Sequence, residues 1–155
     1  MENLKNSFKE LVEKQSALKK QYREEGKKLF SVLVKEFFDK FGDEVKAFAW
    51  TQYTPYFNDG EPCTFGINDI WHITNKAYER IKTDEERDLL EESIYEWDEC
   101  SGDDDNKLSE NANAIFNEIT TFIYQNDEII QELFGDGVQV TCTKEGIETQ
   151  DHEHD

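Results

Sequence analysis

Leu4, Phe8, Leu11, Leu18, Tyr22, Leu29, Leu33, Phe37 and Phe41 recur at helical spacing, and that pattern commits the first quarter of the chain to helix. The early steps alternate four and three residues, as in a coiled-coil seam. Polar Gln15 and Glu25 stand where the alternation calls for apolar side chains. Gly26 marks a kink or a break into two helices, and Gly42 supplies a stop. A continuous helix of about 40 residues would be roughly 60 Å long, more than the width of a domain this small. The stretch therefore reads either as a helix packing on its own domain or as a seam for homo-oligomer formation.

Charge divides the chain unevenly. Residues 1–46 hold 11 Lys/Arg against 9 Asp/Glu, and residues 47–155 hold 6 against 27, so the net charge of −19 splits into +2 and −21. Twelve acidic residues and one basic residue lie from Asp84 to Asp105. Such a field repels nucleic acid and membrane surfaces and attracts basic proteins. Thr83-Asp84-Glu85-Glu86 is a capping box, and the helix it opens is expected to run to about Glu99. Asp84, Asp88, Glu92 and Glu96 then form one stripe with a carboxylate about every 6 Å, while Leu90, Ile94 and Trp97 take the opposite face. Glu91, Asp98, Glu99, Asp103, Asp104 and Asp105 extend the charge.

The plain reading of that stripe is a solvated face. The functional reading is a partner-binding surface for a basic protein, in concrete form an inhibitor that mimics nucleic acid and occludes a nucleic-acid-binding site.

Beyond Gly42 the pattern changes. Residues 45–54 are rich in β-branched and aromatic side chains, and residues 63–73 read as a returning strand. After the acidic helix, a second helix is expected from about Asn106 to Phe134, with Leu108, Ala112, Ile115, Ile119, Phe122, Ile129 and Leu133 on one stripe. Gly135 and Gly137 close it. Val138, Val140 and Cys142 then alternate with Gln139, Thr141 and Thr143 as a third strand. The expected fold is α+β, a small antiparallel sheet of about three strands packed by the long N-terminal helix and two helices of the C-terminal half. Residues 1–147 make one domain, and residues 148–155 read as a polar, flexible tail.

The most distinctive string is Trp50-Thr51-Gln52-Tyr53-Thr54-Pro55-Tyr56-Phe57-Asn58-Asp59-Gly60-Glu61-Pro62-Cys63. Tyr56 and Phe57 on such a connection would anchor a protein partner, since aromatic rings bury area with few rotamers to freeze. Alternatively Trp50, Gln52, Tyr53, Asn58, Asp59 and His72 would line a small-ligand site or the site of a modest enzyme. The string resembles one found in uncharacterised small proteins of phage or bacterial origin. The resemblance covers about a tenth of the chain, implies a bacterial or phage setting, and brings no activity with it.

Signals for metal or covalent chemistry are weak. Asp98 to Asn106 is rich in oxygen donors but does not fit the EF-hand register. His152 and His154 sit in the expected tail, without the fixed surroundings a metal site needs. Cys63 has no base at a telling spacing, and no phosphate-binding glycine loop or nucleophile elbow is present. No cofactor is expected, and an enzyme less so than a binding protein. Three cysteines without close spacing point to free thiols. The first residues lack the apolar core of a signal peptide, and no apolar run would span a bilayer. Together these predict a cytoplasmic location.

Overall fold

The long first helix forms without a break. The computed structural model describes residues 1–56, 60, 62–80 and 104–152. In it α1 spans Glu2–Phe41, followed by β1 (Val45–Tyr53), β2 (Gly66–Ile67), β3 (Trp71–Thr74) and α2 (Asn75–Arg80). A 3-10 turn at Asp104–Asn106 leads to α3 (Glu110–Gln125), α4 (Asp127–Phe134), β4 (Val138–Thr143) and β5 (Gly146–Asp151). The expected acidic helix from Asp84 to Glu99 lies outside the described residues.

The fold is α+β, as the patterning predicts, with five strands among the described residues rather than about three. All pairings are antiparallel. β1 is central, flanked by β4 on one side and by β2 and β3 in succession on the other, and β5 pairs with β4. Two corrections account for the extra strands. Residues 146–151, read in part as tail, form β5 against β4, with Ile147 opposite Cys142. The returning strand is split at residues 68–70, where the Asn68 amide nitrogen donates to Thr51 O at 2.9 Å and Tyr124 Oη binds both Ile70 N and Asn68 O. Burial of Tyr124 raises its phenol pKa above the usual value.

Alternation along β1 and β4 builds the core. Phe48, Trp50, Val140 and Cys142 face the helices and pack with Phe30, Val34, Phe37, Phe38, Phe41, Phe116, Ile119, Ile123 and Ile130. Ala47, Ala49 and Ile73 face the other way, against Ala77 of α2. A bulge at Lys46 keeps Val45 in the main core and leaves the lysine outside, over the Tyr78 ring. Burial at Cys142 drives its thiol pKa far up, so it is an inert core residue.

The expected single helix from Asn106 to Phe134 is two helices. Ser109 caps α3 by accepting from Ala112 N, and its own N–H and hydroxyl bind the Glu44 carboxylate. The run is interrupted at Asn126, whose backbone leaves the helical region at φ −123° and ψ 39° while its side chain donates to Phe122 O at 2.8 Å.

In α1 only the C-terminal part packs. Its buried residues are Phe30, Val34, Phe37, Phe38 and Phe41, whereas every residue from 1 to 25 is exposed. Deleting residues 1–21 is therefore expected to change the unfolding free energy by less than about 1 kcal/mol, the scale of exposed substitutions and surface ion pairs. Urea denaturation of the truncated and full chains measures this, and a loss above about 2 kcal/mol would show that the free portion packs on something.

Candidate functional site

The apolar residues that precede Phe30 do not continue the packed face of α1. Leu29 is 71 % exposed while Phe30 is 4 % exposed. At about 100° per residue, the line through Leu4, Phe8, Leu11, Leu18, Tyr22 and Leu29 lies roughly a third of a turn from the face that carries Phe30, Val34 and Phe37. The sequence pattern merged two stripes into one, and the structure separates them. One belongs to the core, and the other is an exposed apolar seam that leaves the domain on a single helix. Exposed large apolar side chains are ordinary when scattered, but a row of them along one helix face marks an interaction surface.

At its domain end the seam runs into a groove. Tyr22, Leu29 and Leu33 of α1, with Phe122 of α3 and Ile129 and Leu133 of α4, line an apolar cavity of about 310 Å³. Gly26 explains how α4 comes so close. A Cβ there would lie 2.5 Å from Leu133 Cδ2, so the glycine serves helix contact and does not break the helix. Arg23 Nε, 3.7 Å from the Glu132 carboxylate, ties the two helices at the same level. Phe122, read from the sequence as part of one apolar helix stripe, is 45 % exposed at this groove. Its distance from α1 in sequence left no local signal for that role.

The other candidate residues are dispersed. Asp84, Asp88, Glu91, Glu92, Glu96, Asp98, Glu99 and Asp103 lie outside the described residues, as do Phe57, Asn58 and Asp59. Asp104 is exposed and pairs with Lys107 Nζ at 2.9 Å, which holds its pKa below the ordinary carboxylate value. Asp105 receives Lys76 Nζ at 3.3 Å and Arg80 at 3.5 Å, so the chain's own cations already engage both carboxylates. Tyr56 is 79 % exposed on the connection after β1.

Of the alternative ligand set, Trp50 and Gln52 are fully buried and bonded to each other, Trp50 Nε1 donating to Gln52 Oε1 at 2.8 Å. His72 is half-buried, with Nε2 2.7 Å from Asn106 O and its ring edge-on to Phe116. Tyr53 lies beside His152, their ring centroids 5.6 Å apart. Trp50 and Gln52 point into the helix-packed core. Among the described residues no three His, Cys, Asp or Glu side chains gather as a metal site, and no helix is long and apolar enough to cross a membrane.

Family models, curated proteins and solved structures return no match to this chain.

Proposed function

We propose that this chain is a protein-interaction module, in which the α+β domain anchors α1 and offers its exposed seam to an amphipathic helix of a partner protein. The observation that carries this reading is the continuity of the seam: six apolar residues from Leu4 to Leu29, all exposed, leading into the groove beside Phe122 and Ile129. A seam with four-three spacing is the surface that another helix recognises by inserting side chains between its residues. The groove gives that helix a fixed end point on the domain. Occlusion of a basic protein by the acidic stripe was the expectation from charge. The seam reading has the stronger support, because it rests on described geometry and Asp104 and Asp105 are engaged internally.

The test compares the intact chain with Leu11→Glu/Leu18→Glu in affinity capture from a cell lysate, with mass-spectrometric identification. Both positions are exposed, so the variant should keep its circular dichroism and urea midpoint. A protein retained by the wild type and reduced at least tenfold with the variant is expected, the scale of about 1.4 kcal/mol or more lost from an apolar helix interface. Equal retention by both would sink the reading.

A further inference from the structure

The seam has basic edges. The positions immediately beside it carry Lys5 and Lys19 on one side and Lys14 and Lys28 on the other, and none of the flanking positions carries Asp or Glu. Of the acidic residues in this part of α1, Glu2, Glu10, Glu13 and Glu24 lie away from the seam's edges, and Glu25 stands in the seam itself. Flanking positions are where paired helices select partners by charge. All four lysines sit in the exposed portion or at its boundary and are themselves exposed.

We infer, resting on the docking role proposed above, that the occupant of the seam is an amphipathic helix with Asp or Glu along both edges of its apolar stripe. Pairing with a second copy of α1 is opposed by the same residues. A parallel, in-register pair sets Lys14 against Lys19 of the other copy and Glu25 against Glu25. An antiparallel pair sets edge lysines against edge lysines. An acidic-edged helix meets none of the lysine repulsions and converts them into attraction. Gln15 interrupts the seam at a position where a polar residue fixes register, so the partner carries a polar residue opposite it. Glu25 at the groove calls for a cation opposite.

A lipid surface fits the same lysines less well. A membrane-lying helix shows a broad apolar face with cations across the polar one. Here the apolar face is a narrow seam, the outer surface mixes Glu2, Glu10, Glu13 and Glu24 with Lys9, Lys20, Arg23 and Lys27 rather than carrying cations throughout, and residues 47–155 carry a charge of −21 that anionic lipid repels.

The test uses fluorescently labelled helical peptides of about four heptads with Leu at the seam positions, long enough to cover the roughly 38 Å from Leu4 to Leu29. One has Glu along both edges and the other Lys. Fluorescence anisotropy with the full chain is expected to give at least tenfold tighter binding to the Glu-edged peptide. That preference should shrink at least threefold between about 50 mM and about 500 mM salt, because exposed charges are screened. Leu11→Glu/Leu18→Glu should abolish binding, and Lys14→Glu/Lys19→Glu should reverse the preference.

Equal binding of both peptides overturns the charge assignment while leaving the docking role standing. Binding of neither removes the docking role itself. Sedimentation of the wild type as a dimer at about 10 μM, lost with Leu11→Glu/Leu18→Glu, would assign the seam to a second copy and overturn the inference. Binding to vesicles containing phosphatidylserine, lost with the same variant, would overturn it in favour of a lipid surface.

Discussion

Phe48→Ala is expected to lower the unfolding free energy by about 3–5 kcal/mol, the range for deleting a buried aromatic ring and leaving its cavity behind. Phe48 is fully buried at the centre of β1, and four aromatic rings contact it. Phe38 stacks nearly parallel at 5.7 Å, Trp50 at 6.5 Å, and Phe37 and Phe116 meet it edge-on at 5.6 Å each. Those rings come from α1, β1 and α3, so the cavity would open where three elements meet and none could close it alone. Against a typical domain stability of about 5–15 kcal/mol, the loss is roughly a fifth of the total or more. Urea denaturation checks it, with Leu11→Ala as the contrast. Leu11 is 62 % exposed, so its truncation should cost less than about 0.5 kcal/mol. A small effect at Phe48 would mean that the helices do not close over the sheet.

That contrast sets out how the protein is organised. Stability resides in the C-terminal part of α1, where Phe30 to Phe41 bind the sheet and the helix pair of α3 and α4. The N-terminal part contributes surface and spends none of the fold's stability on it. A substitution in the seam therefore alters recognition with little effect on folding, and one at Phe48 does the reverse. This separation is what makes the docking reading testable with exposed variants.

How far the sequence revealed this depends on how local each signal was. The helix read from Leu4 to Phe41, the strand read over residues 45–54 and the alternation of Val138, Val140 and Cys142 are set by short-range periodicity and by Gly42, and they appear within two residues of those bounds. The stripe from Leu4 to Phe41 was legible as helix but not as two faces, because four-residue steps drift slowly around a helix. Only the burial of Phe30, Val34 and Phe38 shows where the core takes over. Gly26 resembles a break in one dimension, and its purpose depends on Leu133, far along the chain. β5 was missed because Glu148, Thr149, Gln150 and Asp151 are polar and exposed on an edge strand held by backbone bonds to β4. Gln52 in an aromatic string looked like a ligand-binding amide, and no local feature disclosed that its partners are carbonyls of α4 and the turn after it.

Gln52→Leu is the second substitution expected to be costly, at about 3–4 kcal/mol, for a reason that has little to do with volume. The Gln52 amide nitrogen donates to Gly135 O at 2.6 Å and to Ile130 O at 3.3 Å, and its oxygen accepts from Trp50 Nε1. It thereby joins the central strand to the C-terminal end of α4 inside the core. Leucine fills similar space but strands the indole N–H and the Gly135 carbonyl, each at about 1–3 kcal/mol for a buried polar group left unpaired. Gln52→Glu separates shape from hydrogen bonding further. A carboxylate there still accepts from Trp50 but faces two carbonyl oxygens with no proton to offer, and burial would raise its pKa. Protonated, it can donate to Gly135 O. The penalty of Gln52→Glu should accordingly be smallest below about pH 4, where the group is protonated in both folded and unfolded chains. It should grow as pH rises through the unfolded-state pKa, and reach its full value above the raised folded-state pKa. Urea denaturation of the wild type, Gln52→Leu and Gln52→Glu across that range measures this. A Gln52→Glu penalty independent of pH would show that the amide's donor bonds do not hold α4 to the sheet.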